Sequence, residues 1–296
     1  MLPIDFITVV FDKEIDYLSV QAKSISLCID SDSIGTIFVI VNDDDHICEK
    51  INVDWWGENR HKVNIISKTK FGRCELSYGW NSQQLYKLFG ASIATNKWSM
   101  CLDAKTWFVQ KLDFNKIFDE TGRVNFHSFP TLPVFKPAEE FVEKFYNIES
   151  KEVIGPGGVP FFFHTQTVID LIADLEDNHN TTLLEFFSKN VKYPVFLTEF
   201  MLYSGFVKYK YGSHDKLYSQ QQYYLITNVA DFQKYEFDKI FVQMQDPNNL
   251  TASIHRSVYP YLTEKQLQTW VDFLHSKNLI DDTAVTYQKL NTNTNI

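Results

Sequence analysis

The amino-acid sequence predicts an α/β fold with a mixed, mostly parallel sheet flanked by helices. Short apolar runs rich in β-branched and aromatic residues alternate with longer segments in which apolar residues recur at helical spacing. Such alternation is typical of parallel strands joined by helical crossovers. A hydrophobic fraction of 44% and a charged fraction of 22% indicate a folded chain with a substantial core.

The first third of the chain supplies three predicted strands and one helix. Residues 4–11 (IDFITVVF) form the first strand, and residues 14–29 place apolar side chains at helical spacing. Residues 35–45 (GTIFVIVNDDD) form a second buried strand that runs into an acidic turn, and residues 61–68 (HKVNIISK) form a third. This order is the start of a parallel sheet.

A second helix and a fourth strand follow. From Ser82 onward, apolar residues at helical spacing predict a helix that brings Gln84 and Lys87 close together on its surface. Residues 98–104 (WSMCLDA) then form the fourth strand, which ends at Asp103. Ligands of open parallel sheets collect at the carboxyl ends of the strands. We therefore expect the residues just past three strand ends to meet in one crevice: Asp12, Asn42, Asp43 and Asp103.

The remaining chain is predicted to complete the sheet and to add helices. A Gly-Pro loop at 155–160 precedes a short aromatic strand, His164 and a helix, and residues 194–209 show helical spacing around Glu199. The segment 239–245 (KIFVQMQ) is strand-like. A helical extension begins near Thr263, where Thr-Glu-Lys-Gln resembles a capping box.

Composition and charge exclude several classes of protein. The 28 Lys and Arg against 37 Asp and Glu give a net charge of −9, which argues against a nucleic-acid partner. The four cysteines are widely separated and do not suggest a zinc site. The amino terminus has no signal-peptide pattern, and no apolar run is long enough for a transmembrane segment, so we expect a cytoplasmic protein.

The order of these segments resembles that of a GT-A nucleotide-sugar glycosyltransferase. More narrowly, it resembles a little-characterised family of bacterial and phage-borne glycosyltransferase-like proteins of unknown function. Order and spacing over residues 4 to about 275 carry the resemblance, rather than any single motif. The matching stretches are IDFITVVFDKEIDYLSVQAKSI, FVIVND, GWNSQQLYKLFGASIATNKWSMCLDAKTWF, LTEFMLYSGF and SIHRS.

The resemblance implies an enzyme that moves a sugar from a nucleotide-diphosphate sugar to a hydroxyl of a glycan or related acceptor, in surface polysaccharide synthesis. It implies a GT-A-like domain over residues 1–285, with a nucleotide-binding half at about 1–110 and an acceptor half at about 111–285. Residues 286–296 look like a flexible tail. The oligomeric state is not predicted.

The resemblance also implies a metal site, with one departure from the pattern. Asp103 would lie beside the ribose and hold Mn²⁺ or Mg²⁺ with His255 as second ligand. Relatives often have Leu-Asp-Ala-Asp where this chain has Leu-Asp-Ala-Lys, so Lys105 replaces the second carboxylate. Either the Lys105 ammonium neutralises the diphosphate without a metal, or Lys105 faces solvent and the site is inactive.

Other donor contacts are expected from two groups of residues. Polar and cationic side chains are candidates for the phosphates: Gln84, Lys87, Lys105 and Arg256. Residues at strand ends are candidates for the base and ribose: Phe11, Asp12, Asn42 and Asp43. The run NDDD is equally typical of a solvated turn, and a lysine on a helix is often only a surface residue.

On the acceptor side, Glu199 lies in an otherwise apolar stretch. Burial there would raise its pKa, which suits a catalytic base. Glu199 and Asp103 are the expected catalytic residues. A structural salt bridge would explain Glu199 equally well. Acceptor contacts are expected from Gly157, Gly158, His164 and Tyr203. The alternative function is a catalytically silent GT-A-fold protein that binds nucleotide or glycan. A nucleotidyltransferase is disfavoured because no Gly-rich loop opens the first helix.

Overall fold

The computed structural model describes residues 3–72, 79–125, 131–148, 159–219, 221, 223–283 and 286. Its strands are β1 (Ile4–Val10), β2 (Ile34–Val41), β3 (Val63–Ser67), β4 (Trp98–Asp103), β5 (Trp107–Phe108), β6 (Val124–Asn125), β7 (Phe161–His164), β8 (Tyr218–Ser219), β9 (Leu225–Val229) and β10 (Asn249–Ile254). Its α-helices are α1 (Ile15–Cys28), α2 (Gly79–Ser92), α3 (Phe114–Ile117), α4 (Lys136–Tyr146), α5 (Thr165–Asp177), α6 (Leu183–Asn190), α7 (Glu199–Tyr211), α8 (Phe237–Met244) and α9 (Glu264–Ser276).

The central sheet has five strands in the order β3-β2-β1-β4-β7. The first four are parallel, and β7 runs antiparallel to β4. Every residue of β1 is buried, because both faces of this central strand are covered. The predicted fold class, a mixed and mostly parallel sheet flanked by helices, is confirmed.

Close packing of α2 against the sheet depends on a glycine. A Cβ atom at Gly90 would lie 2.7 Å from Ile7 and 2.8 Å from Ile40, too close for any side chain there. The helix also contacts α5, α6 and α7. α2 therefore joins the sheet to the helices that follow β7, which matters for the position of Lys87.

A second, three-stranded sheet has the order β5-β10-β9. β10 pairs antiparallel to β5 and parallel to β9, so the carboxyl ends of β9 and β10 lie at the same edge. The strand predicted at 239–245 is wrong: these residues lie in α8 (Phe237–Met244). The buried residues Phe237, Ile240, Phe241 and Met244 recur at helical rather than alternating spacing.

The chain's last described helix confirms the predicted helical extension. Thr263 caps α9, and its hydroxyl accepts from the Gln266 backbone while the Gln266 side chain accepts from the Thr263 backbone. Over the described ranges, no helix combines the length and apolar character that crossing a membrane requires.

The amino edge of the central sheet is fastened by one buried carboxylate. Asp5 is fully buried, and its oxygens accept from the backbone N–H groups of Thr36 (2.6 Å), Thr95 (2.8 Å) and Asn96 (2.8 Å) and from Asn96 Nδ2 (2.7 Å). Thr36 lies in β2, and Thr95 and Asn96 lie just before β4. Asp5 therefore holds three strands together at one edge.

Candidate functional site

The opposite, carboxyl edge of the central sheet brings together most of the predicted donor residues. β1 ends at Val10, β2 at Val41 and β4 at Asp103, and the register places Val9 beside Asp103. Because these strands are parallel, their carboxyl ends lie at the same edge, as the sequence predicted for the residues that follow them.

Asp103 is held between two lysines. Its Oδ1 lies 2.9 Å from Lys87 Nζ and its Oδ2 lies 3.0 Å from Lys105 Nζ. The Lys87 side chain is only 4% exposed, whereas Lys105 is 16% and Asp103 21% exposed. Asp103 and Lys105 therefore face the crevice, and Lys87 supports them from beneath.

Glu199 approaches the same lysine from the first turn of α7. Its Oε1 lies 2.9 Å from Lys87 Nζ, and its side chain is 1% exposed. Its Oε2 is buried and has no hydrogen-bond partner within the described part of the chain. Lys87 Nζ also lies 5.1 Å from the centre of the Phe200 ring. One buried ammonium thus joins α2, β4 and α7.

The pKa values in this cluster follow from burial and charge together. Burial opposes ionisation of Asp103, but Lys105 and Lys87 outweigh it and hold its pKa well below the usual range. Burial lowers the pKa of Lys87, but Asp103 and Glu199 outweigh it and raise that pKa. Burial raises the pKa of Glu199, and Lys87 offsets only part of this. Asp103 and Lys87 are therefore both charged near neutral pH.

The turn that carries Lys105 is fixed by a buried glutamine of α1. Gln21 Nε2 donates to the backbone carbonyls of Asp103 (2.6 Å) and Thr106 (3.1 Å), and Gln21 Oε1 accepts from Thr8 (2.8 Å). Gln21 was not singled out by the sequence, because a polar residue on an amphipathic helix has no signature of such a contact. It keeps the short connection between β4 and β5 in one conformation.

The strand-end residues expected to bind the base and ribose do lie together. Asp43 Oδ2 accepts from the backbone N–H of Asp12 (3.2 Å), and Asp12 Oδ1 lies 2.6 Å from Lys50 Nζ. Asp12 is exposed, and both Phe11 and Asp43 are half-buried. Phe11 packs beside Gly79, where a Cβ atom would lie 2.7 Å from its ring.

Two predicted donor residues are largely committed to α2. Asn42 Nδ2 donates to Gly79 O (3.1 Å) and Ser82 Oγ (2.9 Å), so Asn42 fastens the end of β2 to the start of α2. Gln84 is buried, and its Nε2 donates to Trp80 O (3.1 Å) one turn earlier. These contacts engage the Asn42 amide and one N–H of Gln84 within the protein itself.

His255 and Arg256 reach the site from the second sheet. They follow β10, which pairs with β5 just beyond the turn that carries Lys105. Burial, together with the charge of Lys105, lowers the pKa of His255 to about 4. His255 Nδ1 lies 2.6 Å from Ser257 Oγ, which donates to Asp231 Oδ1 (2.6 Å). His255 is therefore a neutral imidazole at neutral pH, fixed through Ser257.

Glu14 is a carboxylate of this site that sequence reasoning missed. Burial raises its pKa, opposed by Lys105, while Asp103 and Arg256 also act on it. Its Oε2 is buried and has no hydrogen-bond partner among the residues that the structure describes. The only sequence signal was its place two residues beyond Asp12, directly before α1.

Two residues expected at the acceptor site lie elsewhere. β7 is antiparallel to β4 and pairs His164 with Trp98, so His164 lies at the amino edge of β4, away from Asp103. Tyr203 is fully buried, and its hydroxyl accepts from the His164 backbone N–H (2.9 Å) and from Tyr218 OH (2.9 Å). The structure therefore does not bring these residues to the crevice. Gly157 and Gly158 lie outside the described residues.

The residues around Asp103 do not fit a divalent cation. Both carboxylate oxygens already contact ammonium groups, and a dication at Asp103 would be repelled by Lys87 and Lys105. Across the described chain, no three His, Cys, Asp or Glu side chains are grouped to hold a metal ion. A cation bound by the predicted ligands Asp103 and His255 would lie close to the positive charges of two lysines.

Comparisons with known proteins gave one family and several similar structures. The model of the "Family of unknown function (DUF6492)" matches residues 1–241. A structure of the galactosyltransferase LgtC with donor and acceptor sugar analogs has a TM-score of 0.48 and 12% identity, and covers 96% of this chain and 100% of its own. Apo WbbM, a bifunctional glycosyltransferase, has a TM-score of 0.49 and 9% identity, over 97% of this chain and 52% of WbbM. The search of curated proteins found no match.

Proposed function

We propose that the chain, which belongs to the family of unknown function DUF6492, is a glycosyltransferase that moves a sugar from a nucleotide-diphosphate sugar to a hydroxyl of a glycan or related acceptor. One observation carries the proposal: two ammonium groups contact the two oxygens of Asp103 at the carboxyl edge of a parallel sheet. That edge is where such folds bind ligands, and an ammonium group placed there suits a diphosphate.

Lys105 is the cation proposed to take the diphosphate. In transfer, the bond from the sugar's anomeric carbon to the diphosphate oxygen breaks, and the diphosphate leaves with the electron pair. Lys105 is more exposed than Lys87, and Asp103 is its carboxylate partner in the described part of the chain, so it can turn from Asp103 to a phosphate oxygen. The exposed Arg256 adds a second positive charge. Such placed cations stabilise the negative charge that develops on the leaving group.

The nucleoside is proposed to bind at the ends of β1 and β2. Asp12 and Asp43 present carboxylate oxygens to ribose hydroxyls, and the Phe11 ring offers a flat surface to the base. When Lys105 contacts the phosphates, Asp103 Oδ2 loses this partner and can accept a hydrogen bond from a ribose hydroxyl. The mobile part of this arrangement is therefore one lysine side chain.

Glu199 is proposed as a positioning residue, in place of the catalytic base that the sequence suggested. At 1% exposure, with Lys87 between it and Asp103, it has no path to an acceptor hydroxyl. Its carboxylate keeps Lys87 charged and aimed at Asp103. A base must come within hydrogen-bond reach of the proton it takes, which Glu199 does not.

Glu14 is proposed as the base instead. It is half-buried, its Oε2 has no hydrogen-bond partner among the described residues, and burial raises its pKa. The acceptor oxygen would bond to the anomeric carbon while its proton passes to Glu14. Glu14→Gln should lower the transfer rate while nucleotide binding is retained. An unchanged rate would remove Glu14 from this role.

The first test is a thermal-shift series with nucleoside diphosphates and nucleotide sugars, each with Mg²⁺, Mn²⁺ or EDTA. A ligand of the folded state raises the melting temperature. We expect one nucleotide class to stabilise the protein, and to do so in EDTA, because Lys105 occupies the place of the cation. Stabilisation that appears only with a metal would overturn the proposed role of Lys105, and no stabilisation would overturn the donor site.

A catalytically silent nucleotide- or glycan-binding protein is the second candidate, favoured by the ion pair between Lys105 and Asp103. Nucleotide binding without transfer or donor hydrolysis over a broad acceptor panel would support it, and any transfer product would exclude it. A place in surface polysaccharide synthesis and a cytoplasmic location stay predictions.

A further inference from the structure

Two tyrosines and a lysine form an exposed cluster on the second sheet's loops, here called the tyrosine platform: Lys234, Tyr235 and Tyr261. Tyr235 is 81% exposed and Tyr261 48% exposed. Their ring centres lie 5.8 Å apart at an interplanar angle of 77°. Lys234 Nζ lies 4.0 Å from the centre of Tyr261 and 5.6 Å from that of Tyr235. The cation orders two rings that remain largely open to solvent.

The platform lies on the same two loops that reach the crevice. One loop follows β9 and carries Asp231, and the other follows β10 and carries His255. The loops are tied together by the hydrogen bond from Ser257 Oγ to Asp231 Oδ1, at 2.6 Å. Parallel pairing of β9 and β10 brings both loops to one edge.

The base of the platform is anchored in the core. Tyr259, two residues before Tyr261, is buried, and its ring stacks on Tyr17 of α1 with centres 6.2 Å apart. The segment 256–261 is thus fixed at Tyr259 while Tyr261 faces outward. A ligand bound there would lose little entropy through ordering of the protein.

We propose that the tyrosine platform binds a sugar ring of the glycan acceptor, which rests on the proposed glycosyl transfer. A sugar ring has an apolar C–H face and a polar hydroxyl rim. The Tyr235 ring offers a flat apolar face, and the phenol hydroxyls, Lys234 and Asp231 offer donors and acceptors around it. The platform would supply the acceptor contact that was predicted for His164 and Tyr203, which lie away from the crevice.

The occupant is a saccharide because the platform combines flat apolar rings with polar neighbours. A membrane surface would require clustered aliphatic side chains and several cations, whereas the platform holds two phenols and one lysine that is already engaged with a ring. Tyr261 ends the segment that begins at Arg256, so the platform shares a loop with the proposed diphosphate contact Arg256. A bound glycan would therefore extend from the platform toward the crevice.

The test measures binding of neutral oligosaccharides (maltotetraose, cellotetraose, lactose and chitotetraose) to the full chain by calorimetry. Variants are Tyr235→Ala and Tyr261→Ala, with Tyr193→Ala as control, since Tyr193 is 82% exposed and lies outside both loops. We expect at least one oligosaccharide to bind, and each platform variant to weaken it roughly tenfold. The Tyr193 variant should bind as the unaltered chain does.

Nucleotide thermal shifts on the same variants separate this proposal from the proposed function. Retained nucleotide stabilisation with lost oligosaccharide binding supports the platform. Oligosaccharide binding that depends on Tyr235 in a chain that no nucleotide stabilises would keep the platform and overturn the donor site. Equal binding by Tyr235→Ala, or no oligosaccharide binding by the unaltered chain, would overturn the platform. A dimer that Tyr235→Ala converts to monomer would overturn it too, as an interface between copies.

Discussion

The two edges of the central sheet each hold a carboxylate, and they hold it in different ways. At the amino edge, Asp5 accepts from neutral N–H groups, most of them backbone amides. At the carboxyl edge, Asp103 contacts the ammonium groups of Lys87 and Lys105. Asp5 is fully buried, whereas the Asp103 side chain is 21% exposed.

The difference separates a carboxylate whose partners are fixed from one whose partner can move. Backbone amides cannot leave Asp5 without unfolding the strands that carry them, so no ligand can replace them. The Lys105 ammonium stands at the end of a flexible side chain and can exchange Asp103 for another anion. Burial alone therefore does not distinguish a carboxylate that could bind a ligand from one that only holds strands together. The kind of group that contacts the carboxylate does distinguish them.

The largest expected effect comes from removing Lys87. Lys87→Met leaves Asp103 and Glu199 close together and without their shared cation, which should destabilise the protein by about 3–5 kcal/mol. Urea denaturation measures the loss. The double variant Lys87→Met with Glu199→Leu should recover part of it, because it removes one uncompensated charge. Equal stability of the unaltered chain and Lys87→Met would show that Lys87 does not hold the cluster.

The next largest effect is on the transfer reaction. Lys105→Ala should lower the turnover number by roughly 10²- to 10³-fold, the usual loss when one group that stabilises a leaving charge is removed. Lys111→Ala is the matched control, since Lys111 is 70% exposed and pairs with Asp30 only at 3.8 Å. Full activity of Lys105→Ala would contradict its proposed place at the diphosphate.

At the amino edge, Asp5→Asn should destabilise the protein by about 2–3 kcal/mol, because the new amide turns a donor toward N–H groups. Nucleotide stabilisation should not change. Asp54→Asn serves as control: Asp54 is 65% exposed and pairs with an equally exposed Arg60, so its loss should stay within about 0.5 kcal/mol. A change in nucleotide binding by Asp5→Asn would break the contrast between the edges.

Both edges are expected to contribute to a pH dependence of stability. Burial lowers the pKa of both His164, at the amino edge, and His255, at the carboxyl edge, from 6.5 to about 4. The unfolded chain therefore binds more protons between these values, and stability should fall as pH drops from 6.5 to about 4. His164→Gln and His255→Gln should each flatten this slope.

Imidazole NMR titrations sharpen the same comparison. A bound nucleoside diphosphate should raise the pKa of His255, because negative phosphates favour the imidazolium, and leave His164 unchanged. Equal shifts in both residues would contradict a donor site confined to the carboxyl edge.

Much of the carboxyl edge was predictable from sequence. Parallel strands with polar residues just past their ends place Asp12, Asp43 and Asp103 together, and helical spacing brings Lys87 near them. The partnership of Lys87 with Glu199 was not predictable, because it depends on how α7 packs against α2. His164 was expected at the wrong edge because a four-residue strand pattern does not reveal its direction.

The tyrosine platform was also not predictable from the sequence pattern. The sequence predicted a strand at residues 239–245. With that assignment, the parallel pairing of β9 and β10, which brings together the two loops of the platform, could not be predicted. Exposed tyrosines far apart in sequence carry no signal of contact. Only the tertiary fold makes neighbours of Tyr235 and Tyr261.

The Lys87 ion pairs have a consequence for synthesis of the chain. Lys87 and Asp103 leave the ribosome early, but Glu199, which completes the cluster, is made only after the four central parallel strands and β7. Until α7 docks, the lysine lacks one of its two carboxylates. A fragment ending near residue 110 would therefore carry the proposed nucleotide contacts other than Arg256, without the packing that fixes them. The proposed nucleotide-binding half would thus be completed late, although it is made first.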